Sequence, residues 1–205
     1  MCCAESEIQE AAELERRTLI VLLGINASMF VIEFLAGWLA NAAGLIADSL
    51  DMLADASIYA IALYAVGRSV RLQASAAAAS GVFQVALGIG VLIDVTRRFV
   101  YGSDPVGALM IGFGALALVA NVTCLALISK HRSGGVHMRA SWIFSANDVL
   151  ANIGVIVSGA LVLWLDSPLP DLAIGVVIAI AVIRGGVKIL GEAREGLGRT
   201  EIPRS

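Results

Sequence analysis

Six stretches of about twenty residues carry almost no charge, and few folds are open to a chain built this way. They run over 18–39, 42–66, 74–95, 106–128, 141–165 and 169–188. Lipid offers the backbone no hydrogen-bond partner, so an apolar run of about 20 residues crosses a bilayer as an α-helix. The connectors (40–41, 67–73, 97–105, 129–140 and 166–168) are too short to hold a domain. Composition agrees: 59% of the 205 residues are apolar and 15% charged, against about 45–50% and about 25% in soluble domains. The expected fold is an all-α membrane protein with six transmembrane helices.

The charges exclude several functions. Fourteen Lys and Arg against 17 Asp and Glu leave no basic excess to neutralise phosphates, so no nucleic-acid partner is expected. Cys2, Cys3 and Cys124 are too few for a disulfide scaffold. No phosphate-cradling glycine loop with its lysine, no GxSxG and no CxxC is present, so the chain does not read as an enzyme and no cofactor is expected.

The distribution of positive charge predicts the topology. Arg16, Arg17, Arg68, Arg71, Lys130, Arg132, Arg139, Arg184, Lys188, Arg194, Arg199 and Arg204 fall on one side, and only Arg97 and Arg98 on the other. Twelve against two places both termini in the cytoplasm. Residues 1–17 are acidic and lack the basic start and cleavage site of a signal peptide. They read as a short cytoplasmic helix before an 18–190 transmembrane domain, with 191–205 a short cytoplasmic tail. Cys2 and Cys3 are candidates for acylation, for soft-metal binding, or for inert thiols. Arg184, 13 residues after Asp171, has to reach the interface or meet an acid. Short loops and the short N-terminus point to a bacterial inner membrane.

Acidic residues are expensive at membrane depth, at about 2.5–3.5 kcal/mol each. This chain nevertheless puts Glu33, Asp48, Asp51, Asp55 and Asp148 inside its spans, with Asp94 near the end of the third. Asp94 has Arg97 and Arg98 one turn away and reads as a local ion pair. The second span is different. Asp48, Asp51 and Asp55 follow at +3 and +4, which sets all three on one helical face with no basic residue in that span. Such a stripe repels itself unless a cation or protons neutralise it. Counting about 1.5 Å per residue from Arg68 and Arg139 puts Asp55 about 20 Å and Asp148 about 14 Å deep, close to the middle of an about 30 Å core. Membrane carriers hold their substrate sites at that height. Ser145, Asn147 and Asn152 surround Asp148, and Asn26 shares a face with Glu33. The asparagines serve equally well as interhelical hydrogen-bonding groups. Gly24, Gly37, Gly44, Gly154 and Gly159 suit close helix approach.

These residues resemble a known family. The run from Asn26 through Glu33-Phe34-Leu35-Ala36-Gly37 to Leu45-Ile46-Ala47-Asp48-Ser49-Leu50-Asp51-Met52-Leu53-Ala54-Asp55 is similar to the first two helices of cation diffusion facilitators. Arg139 to Asp148 with Gly154-Val155-Ile156-Val157 looks like the fifth, and Pro170-Asp171 through Arg184 to Leu190 like the sixth. The resemblance implies a dimeric six-helix exporter of divalent transition metals driven by proton exchange. It also implies a tetrahedral site at Asp51, Asp55, position 144 and Asp148. Phe144 departs from the family's histidine, which leaves three carboxylates and a harder, all-oxygen site. Ser145, Asn147, Asn152 or water is then a candidate fourth ligand, and Glu33 and Asp48 candidate accessory groups or proton acceptors. Family members usually continue into a cytoplasmic metal-binding domain. Only 17 residues follow Lys188, so a homodimer is expected to form through the helices or the termini. His131 and His137, both in the loop after the fourth span, read as ordinary surface residues.

The expected function is export of divalent metal, zinc first, then cadmium, cobalt, iron or manganese, with protons returning through the carboxylates. The metal is substrate rather than cofactor. A non-transporting partner or metal sensor of the same fold is the alternative. A small multidrug-type exporter would not require the aspartate stripe.

Overall fold

The computed structural model describes residues 2–65, 70–129 and 136–199, with side-chain surroundings for most of them. They form six α-helices: α1 (Cys2–Leu39), α2 (Ala43–Ala65), α3 (Val70–Tyr101), α4 (Gly107–Ser129), α5 (Val136–Leu165) and α6 (Leu169–Arg199). A helix is present at each of the six expected spans, and several run well beyond the apolar stretch that predicted them. The N-terminal segment is not a separate helix: α1 continues unbroken from Cys2 into the first span.

Five helices contain a stretch long and apolar enough to cross a membrane. The exception is α2, because every 18-residue window inside Ala43–Ala65 includes Asp48, Asp51 and Asp55. The helix that looks least like a membrane span is the most enclosed by protein. It touches each of the other five, while α3 pairs with α6, α4 with α5, and α1 with α2. The molecule is a multi-pass membrane protein with both chain ends on one face, here the terminal face; the other is the far face.

The radial distribution of polarity is that of a membrane domain. Val31, Leu35, Ile93, Val119, Leu150 and Val177 point outward, whereas Asn26, Glu33, Asp48, Gln84, Asn121 and Asn152 are buried. Trp38, Tyr101 and Trp164 are exposed near the far-face ends of α1, α3 and α5, where amphipathic rings anchor a helix at headgroup level. The main core packs Ala36, Leu45, Val91, Met110, Val155 and Ile178, one from each helix in chain order. Of the five glycines expected at close approaches, four are. A Cβ on Gly159 would lie 2.9 Å from the Gly107 carbonyl, so α4 and α5 meet backbone to backbone, but Gly24 has nothing within 4 Å.

The far face is tied together tightly. Asn41 takes φ +50°, the left-handed conformation that asparagine tolerates at a helix end, and the Ala42 N–H donates to the Gly37 carbonyl at 2.9 Å. Arg98 donates to both the Asn41 carbonyl and its side-chain oxygen, and to Asp94. Arg97 completes the ion pair expected at Asp94. Across the bundle, the Asp171 carboxylate of α6 accepts the Ala43 and Gly44 N–H groups at 2.7 and 2.8 Å, capping α2.

Candidate metal site between α2 and α5

The aspartate stripe on α2 divides between two surroundings. Asp51 and Asp55 are half-buried and line a cavity of about 520 Å³ between α2, α3, α5 and α6, together with Asp148 and Asn147 of α5. Asp55 meets Asp148 carboxyl to carboxyl across the two helices. Two carboxyl groups in contact hold a proton or a cation between them. These three aspartates are the principal candidates picked out from sequence, and all three face one space.

Asp48 turns away from that cavity. It is 1% exposed and accepts from Asn152 Nδ2 at 3.1 Å on each oxygen, while the same nitrogen lies 2.8 Å from the Asp148 carbonyl. Glu33, fully buried on α1, faces Asp48, yet no amide, hydroxyl or cationic donor reaches either of its oxygens. Buried polar atoms of this kind require a donor. Glu33 and Asp48 therefore form their own cluster apart from the cavity, with Asn152 of α5 reaching across to Asp48 of α2.

Several expectations are redistributed by this geometry. Asn152 gives its Nδ2 to Asp48 while its Oδ1, the atom that would ligate, is buried without a hydrogen-bond partner among the described residues, whereas Asn147 is exposed on the cavity wall. Asn26 makes the interhelical contact allowed for it, donating to the Leu22 carbonyl at 2.9 Å and toward Cys124 Sγ at 3.8 Å. The side chains of Cys2, Cys3, Phe144 and Ser145, the histidines 131 and 137, and the basic residues Arg68, Lys130, Arg132, Arg139, Arg199 and Arg204 lie outside the described side chains. Among the described residues, no three His, Cys, Asp or Glu side chains already stand as a closed metal cage.

Three contributors escaped the sequence reading of this site. Gln84 on α3 is buried at the cavity wall, against Gly185. Arg184 and Lys188 of α6 line the same cavity as the carboxylates. Arg184 was expected to reach an interface or an acid, and a polar residue inside an apolar α3 was the one available hint for Gln84.

Comparison with known proteins agrees with this architecture. Zinc transporter ZitB of Escherichia coli (strain K12) is 23% identical over 190 residues, covering 86% of this chain and 61% of the relative. A cadmium, cobalt and zinc/H(+)-K(+) antiporter of Bacillus velezensis is 23% identical over 188 residues, covering 85% and 60%. Zinc homeostasis factor 1 of Schizosaccharomyces pombe is 32% identical over 126 residues, covering 53% and 32%. The chain thus spans about three-fifths of the length of these bacterial relatives. The profile of the cation efflux transmembrane domain matches residues 19–197, all six helices included. With carboxylates gathered on α2 and α5 inside that frame, the chain belongs to the cation efflux, or cation diffusion facilitator, family.

Proposed function

We propose that this chain carries divalent transition-metal ions out of the cytoplasm, zinc first and cadmium, cobalt, iron or manganese as further candidates, in exchange for protons. The observation that carries the reading is the meeting of Asp51, Asp55 and Asp148 at one cavity, at positions that helical rise counts as close to mid-membrane. An arriving dication neutralises carboxylates that otherwise hold protons, so metal and protons compete for one cluster. The relatives named as zinc transporters and as a cadmium, cobalt and zinc antiporter support the substrate class.

Three carboxylates leave a fourth position to fill. Asn147 on the cavity wall, Ser145 or a water supplies an oxygen there, which favours harder ions than a histidine-containing site does. Ligation requires Asp51 to close on the Asp55–Asp148 pair, by side-chain rotation or by movement of α5 against α2. Contact between those two helices is thin, which suits such movement. Glu33 and Asp48 serve as the proton-holding pair behind the ligands. Both termini lie in the cytoplasm by the positive-inside rule, the working unit is a homodimer, and a bacterial inner membrane fits the relatives.

The test is metal uptake into liposomes holding the purified chain under an imposed proton gradient, with zinc, cadmium, cobalt, iron(II) and manganese each tried. Saturable uptake of one ion, lost in Asp51→Ala and in Asp148→Ala, is the expected result. Absence of flux for every ion in folded protein refutes transport. Phe144 in the family's histidine position favours one other reading, a membrane partner or metal sensor that binds without carrying. That reading predicts metal binding with no flux.

A further inference from the structure

A cavity meant for a dication should not be lined by fixed positive charge, yet Arg184 and Lys188 line this one. The Asp171 cap allows their depth to be worked out. It sets Asp171 of α6 level with Gly44 of α2, and both helices run from there toward the terminal face. Asp51 and Asp55 follow Gly44 by 7 and 11 residues, and Arg184 follows Asp171 by 13. At about 1.5 Å per residue these positions lie about 10, 16 and 20 Å below the cap. Arg184 is therefore within about one turn of Asp55 in height, on the wall of the same space. Its side chain lines the cavity, is exposed rather than packed into protein and makes no ion pair with a described carboxylate, and a guanidinium on a three-carbon stem sweeps several ångströms. Lys188 stands about 6 Å further toward the terminal face.

The chemistry of the two side chains separates them. Arginine stays protonated under all conditions a protein meets, and its planar fork of donors matches carboxylate pairs, whereas lysine offers a compact, strongly hydrated charge. Three aspartates facing one cavity need positive charge when no metal is present, and protons are one source of it. Arg184 is a second, and it cannot diffuse away.

We propose that Arg184 is a tethered counter-cation for the Asp51–Asp55–Asp148 cluster: it answers the carboxylate charge in the metal-free protein, and an entering divalent ion has to displace it. The proposal rests on the carboxylates being the metal site. Two consequences follow. Arg184 weakens equilibrium metal binding, and it speeds release and resetting of the empty carrier by offering the carboxylates a replacement charge. It sets affinity and release and never ligates the metal.

The experiment measures Zn²⁺ binding by calorimetry on the full-length chain in detergent and Zn²⁺ flux in liposomes. Arg184→Gln is expected to bind Zn²⁺ about tenfold more tightly, with KM and maximal rate both lowered. Arg184→Lys keeps the charge and is expected to stay within about threefold of the parent, and Lys188→Gln, a turn further away, to change affinity less than Arg184→Gln. Unchanged or weakened binding in Arg184→Gln overturns the proposal, as does an equal effect from Lys188→Gln. Introducing Arg184→Gln into an Asp148→Ala background separates the two claims. If the carboxylates are the site, Asp148→Ala binds weakly and the arginine substitution tightens it less than it tightens the parent. If Asp148→Ala binds Zn²⁺ like the parent, the site assignment itself fails. Far-ultraviolet circular dichroism and a monodisperse elution profile establish that each variant is folded.

Discussion

Replacing Asp171 by alanine tests whether α2 is held in place by α6. Asp171 is completely buried, 127 and 128 residues away in sequence from the two backbone N–H groups it accepts. The first N–H groups of any helix lack an intrahelical partner, and a carboxylate there also meets the positive end of the helix dipole. Hydrogen bonds to a charged group contribute about 1.5–3 kcal/mol each, and an orphaned buried donor costs about 1–3 kcal/mol. Two such bonds share one carboxylate, so they are not independent, and alanine should destabilise by about 3 kcal/mol. For a chain of this length each kcal/mol moves the unfolding midpoint by about 2–4 °C, which gives a fall of about 6–12 °C. The assay is thermal unfolding of the purified chain in detergent, followed by tryptophan fluorescence; Trp38 sits at the end of α1 beside the cap. Asp171→Asn retains one acceptor oxygen and should fall between the two. Asp104→Ala, an exposed carboxylate on the same face, should shift the midpoint by no more than about 2 °C. If Asp171→Ala shifts it no more than Asp104→Ala does, the cap does not hold α2.

Other substitutions probe different links in the structure. Gly107→Ala would drive a Cβ to 2.5 Å from the Gly159 carbonyl, so it should force α4 from α5 and cost about 1–3 kcal/mol, read as a lowered thermal midpoint. Glu33→Gln replaces an acid lacking a donor by an amide that can donate to Asp48, so the midpoint should change by less than about 1 kcal/mol equivalent. Glu33→Ala leaves a buried gap and should lose more than twice as much. Adding Zn²⁺ at about a hundred times its dissociation constant should stabilise the parent by about 2.7 kcal/mol. A chelator should reverse the gain, and Asp148→Ala should show little of it.

Much of this architecture is legible one helix at a time. Five of the six helices are marked by apolar length alone, because a bilayer imposes the same requirement on each segment regardless of its neighbours, while α2 with its three aspartates is not. The aspartate stripe is visible because +3 and +4 spacing has one meaning on a helix. The ion pair of Asp94 with Arg97 and Arg98 is local, and it forms as expected.

What a stripe on one helix cannot say is which neighbour each member meets. Asp48, Asp51 and Asp55 share a face about as wide as two adjoining helices, and only the packing sends Asp48 to Glu33 and Asn152 while the others open on the cavity. The Asp171 cap joins positions over 120 residues apart, and no periodicity links them. Arg184 reads from sequence as a charge in search of an interface or an acid. Its place on the wall of the carboxylate cavity depends on α6 running alongside α2 in a register set at the far face. Sequence determines the faces because helical geometry is local. Tertiary structure decides the partners because they depend on the order and register in which six helices pack.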